Sequence, residues 1–255
     1  MVEYITFYGT SAAIPSVNRG FSCIGLSNEQ NETILLDCGD GSIRNLLKFG
    51  ADVNAIKAVL FSHFHSDHVT GITQVIETMG IRKRSSYLHI FGPPGLKEYF
   101  ATVQKITNVA SKKGFQIYFT EIGPGEKFSL EGYSASTFKM DHTIPCLGYR
   151  LTCPDGKILA YTGDTQPCED LTLLGKNADV FIHEATFLQK DVELARPPKH
   201  STAQQAAIAA RNSSARRLIL THVSDDNETP ELMLKESRPE LPQVIVASDA
   251  LRTTL

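Results

Sequence analysis

Nothing in this chain of 255 residues supplies a disulfide framework. Its five cysteines, Cys23, Cys38, Cys146, Cys153 and Cys168, are odd in number and include no close pair, which points to free, mostly buried thiols in a reducing compartment. Membrane signals are missing as well: the chain opens Met1-Val2-Glu3-Tyr4-Ile5 with no basic n-region, and no apolar run approaches the ~20 residues of a span. A cytoplasmic protein with no membrane partner is expected. There is no excess of positive charge either. The formal net charge is -3, so no global basic field advertises nucleic acid, and any such binding needs a local patch. No low-complexity linker divides the chain, and its length suits one domain over residues 1–255 built from two pseudo-repeated halves.

What the sequence does have is a concentration of metal-ligand side chains. In Ser62-His63-Phe64-His65-Ser66-Asp67-His68-Val69-Thr70-Gly71, three histidines and a carboxylate fall within six positions. They come directly after Ala58-Val59-Leu60-Phe61, whose continuous hydrophobicity reads as a buried strand. Imidazole and carboxylate are what borderline-soft divalent ions select, and His63 and His65, two apart on extended chain, can point the same way. Asp67 and His68 follow where the chain turns, so they leave in another direction and suit a second ion. The stretch resembles the His-x-His-x-Asp-His signature of the metallo-β-lactamase superfamily.

Along the chain, strands are expected over 2–8, 23–26 and 33–37, followed by a helix over 42–49 closed by Gly50. After the strand bearing the cluster come a helix over 71–79, a solvated basic loop Arg82-Lys83-Arg84, a strand over 87–91 and a helix from 96 to about 109. Strands over 116–120, 127–129, 133–139 and 148–152 form a meander. Later strands end in chemistry-capable residues: 158–162 before Gly163-Asp164, 179–182 before His183-Glu184, 217–221 at His222 and 244–247 before Ser248-Asp249, with a helix over 203–211 between the second and third. Strand ends are where open α/β architectures place ligands. Two such halves face to face make an α/β fold of four layers, an αββα sandwich with the site along one edge.

Each ion needs a further ligand, and His142, Asp164 and His222 are the candidates. His142 lies on a polar turn, and the superfamily resemblance implies a histidine ligand there. A carboxylate can bridge two ions about 3.5–4 Å apart, which makes Asp164 the bridge. The expected assignment is His63, His65 and His142 to one metal, Asp67, His68 and His222 to the other, and Asp164 to both. Two zinc ions are the first choice from ligand softness, with manganese or iron as alternatives. Such a site would activate a water for hydrolysis.

Three further motifs, His183-Glu184-Ala185-Thr186-Phe187, Pro198-Lys199-His200-Ser201-Thr202-Ala203 and Leu220-Thr221-His222-Val223-Ser224, resemble in order and spacing the ribonuclease Z family of transfer-RNA 3′ processing endonucleases. So does Ile90-Phe91-Gly92-Pro93-Pro94-Gly95-Leu96-Lys97-Glu98. Ser201 or Thr202 with Gln204 or Gln205 makes a capping-box pattern, which puts His200 at the mouth of a helix that favours an anion. His200 is the candidate proton donor to a leaving oxygen, Glu184 the residue that orients it, and Asp67 a ligand and proton acceptor.

The chain also departs from the family pattern. Family members carry a protruding arm after the strand that here reads Gly148-Tyr149-Arg150-Leu151, whereas Thr152-Cys153-Pro154-Asp155-Gly156 turns straight into the next strand. Pro15-Ser16-Val17-Asn18-Arg19-Gly20 lacks the lysine and asparagine of the family's loop. Ser224-Asp225-Asp226-Asn227-Glu228 is acidic and would repel a phosphate backbone. The leading expectation is a binuclear zinc phosphodiesterase of ribonuclease Z-like type acting on a phosphodiester smaller than, or different from, precursor transfer RNA. A true transfer-RNA 3′ endonuclease is the alternative, with Arg82, Lys83, Arg84, Lys112 and Lys113 as a candidate replacement patch for binding RNA. A thioesterase or lactonase comes next, and a non-catalytic binding module last. The resemblance also implies a homodimer.

Overall fold

The computed structural model describes residues 2–107, 114–224 and 229–255. Two seven-stranded sheets form the centre. The first contains β1 (Tyr4–Gly9), β2 (Cys23–Ser27), β3 (Thr33–Leu36), β4 (Ile56–Leu60), β5 (Leu88–Gly92) and β6 (Ile117–Glu121). The second contains β7 (Lys127–Leu130), β8 (Tyr133–Met140), β9 (Cys146–Thr152), β10 (Ile158–Tyr161), β11 (Val180–Glu184), β12 (Leu218–Thr221) and β13 (Val244–Val246). The final strand, β14 (Arg252–Thr254), returns to the first sheet and pairs antiparallel with β1.

Each sheet is antiparallel at one end and parallel at the other. Strands β3 to β6 run parallel, as do β10 to β13. Parallel strands need crossovers that cover the sheet, and these supply the helices. They are α1 (Ser42–Lys48), α2 (Ser66–Val69), α3 (Ile72–Ile81), α4 (Leu96–Thr107), α5 (Asp170–Leu174), α6 (Val192–Ala195), α7 (Ala203–Asn212) and α8 (Thr229–Ser237).

Three apolar clusters separate the layers. Ile5, Phe7 and Leu60 of the first sheet meet Tyr149, Leu151 and Ile182 of the second in the central one. Leu46 of α1 and Ile72, Val75, Ile76 and Met79 of α3 cover the outer face of the first sheet. Ala203, Ala206, Ala207 and Ala210 of α7, with Leu171 and Met233, cover that of the second. This is the expected αββα sandwich.

Some local expectations change. The solvated loop 82–84 is not uniformly exposed: Arg84 is buried, and its guanidinium donates to the carbonyls of Asn54, Ser86 and Tyr87. Asn54 stands at the start of β4, so this segment lies at the end of the sheet opposite His63. Glu184 falls inside β11, not beyond it. The sequence pattern does not anticipate α5, α6, α8 or β14. Positions 108–113, with the expected helix end at Val109 and with Lys112 and Lys113, lie outside the described residues, as does the acidic stretch 225–228.

Candidate metal centre

The carboxyl ends of the parallel strands converge on one edge of the sandwich, and all nine candidate residues gather there. The turn after β4 presents His63 and His65, and the one-turn helix α2 carries Asp67 and His68. His142 comes from the β8–β9 connection. Asp164 follows β10, Glu184 ends β11 and His222 follows β12, while His200 lies two residues before the N-cap of α7. Three of these positions have left-handed backbone at or beside them: Gly163 at φ 62° before Asp164, Lys199 at φ 57° before His200, and His222 itself at φ 55°. A Cβ on Gly163 would sit 2.5 Å from that of Ser62, so glycine is required both for the turn and for the close approach.

Two ligand groupings are visible. In the first, His65 Nδ1 lies 3.0 Å from His63 Nε2 and 3.1 Å from His142 Nε2, with Asp164 Oδ2 at 3.7 and 3.8 Å from the latter two. In the second, Asp67 Oδ2 lies 3.3 Å from His222 Nε2 and 3.6 Å from His68 Nε2. Asp164 stands between them, its Oδ1 3.4 Å from His68 Nε2 and its Oδ2 3.5 Å from His222 Nε2. A third grouping joins Asp164 and His222 with His200.

The chemistry of this donor set fits a divalent metal. Both His68 Nε2 and Asp164 Oδ1 are buried with no hydrogen-bond partner, and a buried polar atom left unpaired is costly. Burial, then the neighbouring His68, holds His63 well below the ordinary histidine value, which favours the neutral ring that a metal takes. For Asp164 burial acts the other way, but His222 and His68 overcome it and hold the carboxyl well below its usual range.

The outward nitrogens of these rings are held by Asp37, which no sequence motif singles out, and by Ser62, Thr186 and Lys199, which lie inside the motifs but to which the sequence assigns no role. Asp37 accepts from Ser62 N and Ser62 Oγ at 2.7 Å each, from Tyr161 Oη at 2.6 Å and from His68 Nδ1 at 2.8 Å. Since the Ser62 hydroxyl donates to Asp37, its oxygen accepts from His63 Nδ1, 2.9 Å away. Thr186 Oγ1 donates to Glu184 Oε2 at 3.0 Å and so accepts from His222 Nδ1 at 2.8 Å. The Lys199 carbonyl, 3.3 Å from His142 Nδ1, accepts from that ring. These hydrogen bonds aim Nε2 of all four rings toward the centre, the orientation that metal-ligating histidines require.

Beside this cluster, His200 Nδ1 lies 2.8 Å from Glu184 Oε1. Glu184 is fully buried and also accepts from the backbone N–H groups of Thr165 and Thr186. The capping box resolves to Thr202 and Gln205.

Residues 32–223 match the family model for the beta-lactamase superfamily domain. The ribonuclease Z of Myxococcus xanthus is 31% identical, over 92% of this chain and 92% of its own length. This chain belongs to the ribonuclease Z family of the beta-lactamase superfamily. Ribonuclease Z of Methanosarcina acetivorans is 29% identical over 97% of this chain and 96% of its own. Among solved structures, human tRNase Z, short form, superposes with a TM-score of 0.85 at 27% identity, covering 98% of both chains. The alignments to the two ribonucleases run over 286 and 296 positions, more than the 255 residues here, so those relatives carry segments that this family member lacks. The β9–β10 connection of this chain is a tight turn. It closes within a few residues, Cys153 N donating to Lys157 O at 2.8 Å and Gly156 N to Cys153 O at 2.9 Å.

Proposed function

We propose that this chain is a metal-dependent hydrolase that cleaves phosphodiester bonds of RNA, in the manner of ribonuclease Z. His63, His65 and His142 would hold one ion and Asp67, His68 and His222 a second, with Asp164 shared. Zinc is the metal best suited to these nitrogen and oxygen donors, with manganese or iron as alternatives. When bound, the ions supply Lewis acidity: they polarise a phosphoryl oxygen and lower the pKa of the attacking water.

The observation that carries this reading is the Glu184–His200 pair at 2.8 Å, set against the ligand cluster. Glu184 fixes the His200 ring through Nδ1 and leaves Nε2 to donate a proton to the departing oxygen. An alkoxide leaving group needs that proton; a thiolate does not, which disfavours the thioesterase reading. Asp67 would orient the attacking water as well as ligate.

The closed β9–β10 turn supports a second reading in which the substrate is a smaller phosphodiester than precursor transfer RNA. Bis(p-nitrophenyl) phosphate, an acyl thioester and a precursor transfer RNA, each assayed with and without chelator, discriminate these possibilities. Chelator-sensitive hydrolysis of the phosphodiesters is expected, and turnover of the thioester alone would overturn the proposal. A homodimer, as the family resemblance implies, is tested by light scattering. No helix among the described residues is long and apolar enough to cross a membrane.

A further inference from the structure

Two clefts, one of them bordering the ligand cluster, adjoin along the loop that follows β1. The first, about 480 Å³, opens on His200 and His222 and is walled by Ile14, Pro15, Phe187 and Pro198. The second, also about 480 Å³, is walled by Arg44 and Lys48 of α1 and by the half-buried rings of Phe21 and Phe49. Pro15 and Ser16 line both, so the two clefts adjoin at this loop, one against His200 and His222 and the other against α1, together termed the track.

The charge in this track comes from α1. Arg44 and Lys48 are exposed and one helical turn apart, so they share a face. Among the described residues neither enters an ion pair; Lys48 stands over the Phe49 ring, 5.1 Å from its centroid. Two acids, Asp40 and Asp249, also line the second cleft, and the Asp249 carboxylate is held against the loop by Thr10 Oγ1, Gly20 N and Asn45 Nδ2. Arg19, on the loop itself, is turned inward, donating to Thr10 Oγ1 at 2.7 Å and Ala247 O at 2.6 Å. It is a strut for the loop.

We propose that this track seats a single-stranded segment of RNA running out from the scissile phosphate, with Arg44 and Lys48 contacting its backbone and the rings of Phe187, Phe21 and Phe49 offering faces to its bases. Cations interleaved with aromatic faces along a groove are what sequence-tolerant binding of single strands uses. Because His200 opens onto the first cleft, the seated segment is the one that departs with the free hydroxyl. The α1 face then supplies the grip that the closed β9–β10 turn does not. This rests on the phosphodiesterase reading and deepens it.

The test compares the metal-loaded protein with its Arg44→Gln/Lys48→Gln variant, both in a His200→Ala background so that RNA stays intact. Binding of a fluorescent oligoribonucleotide is followed against salt concentration. The variant leaves two phosphates without a neutralising cation, so at ~0.7 for each the slope of log Kd against log salt should fall by about 1.4. In the His200 parent, the ratio of kcat/KM on RNA to that on bis(p-nitrophenyl) phosphate should drop about tenfold. An unchanged slope, or equal losses on both substrates, overturns the proposal, as does a wild-type protein that hydrolyses dinucleotides but binds no oligomer. A slope change without hydrolysis of any phosphodiester would keep the track and sink the phosphodiesterase reading instead.

Discussion

Asp37 supports the centre from behind, because it joins three parts of the chain without itself being a candidate ligand. Four donors converge on its two oxygens, from Ser62, Tyr161 and His68. Asp37→Ala removes the acceptor that these buried donors share, and a buried group left without its partner costs about 1–3 kcal/mol. Metal affinity should fall as well, by about 10–100-fold for losing a group that orients a ligand. Urea unfolding and metal titration measure the two effects, and a variant as stable as wild type would show Asp37 to be dispensable. His200 gives a second prediction at this scale. Burial opposes its imidazolium, but Glu184 and Asp164 overcome that and, in the metal-free protein, raise it to about 9. A raised folded pKa contributes stability that is complete below the unfolded value of ~6.5 and is lost as pH climbs through about 9. In NMR titration of the chelated protein, Glu184→Gln should bring His200 down; if the wild-type ring titrates at its ordinary value, the pairing is not formed in solution. His200→Ala should lower kcat by about 10²–10⁴-fold with bound metal unchanged.

At the scale of elements, the start of α7 sets where His200 stands. Thr202 Oγ1 accepts from Gln205 N, the Gln205 side chain accepts from Thr202 N, and Thr202 Oγ1 donates to Gln189 Oε1. Thr202→Ala should cost about 1 kcal/mol, the usual loss for an N-cap, read from the urea midpoint. Its kcat should fall by a larger factor than its metal content does, since the cap positions His200 and not the ligands. Equal losses would mean that the cap supports the whole centre. The turn into α3 has a stricter requirement. A Cβ on Gly71 would lie 1.9 Å from Gly39 O, where the chain from β3 crosses it, so the backbone carrying Asp67 and His68 can pass only because both crossing residues are glycines.

Across the whole molecule, seven candidate ligand side chains from both sheets are packed together, so a metal held there would tie the two layers. A ligand that binds the folded state alone stabilises it by about 4 kcal/mol at a thousandfold excess over Kd. Chelation should therefore lower the midpoint of thermal unfolding, and re-addition of zinc should restore it. An unchanged midpoint would mean that no ion is held by the folded state. The terminal strand β14 adds a second tie: it pairs with β1, and Lys157 Nζ donates to Leu255 O at 2.8 Å, joining the chain's end to the second sheet.

Much of this was legible in the sequence because the deciding residues are local. His63 to His68 are contiguous, and the apolar run before them, the glycines after strands and the capping pattern at Thr202 all have short-range signatures. Three-residue β14 and the short helices α5 and α6 have too few residues for a period to emerge. What only the tertiary structure decided are the partners: Asp37 reaches Tyr161 across 124 positions and His68 across 31, and no local pattern marks a carboxylate as the acceptor of such bonds. The same holds for Arg84, whose place in a charged run reads as solvated until the start of β4 is seen to close over it. Ligand identity is a property of side chains and their spacing, while the tautomer of each ring and the shape of the track beside it depend on which distant segments pack together.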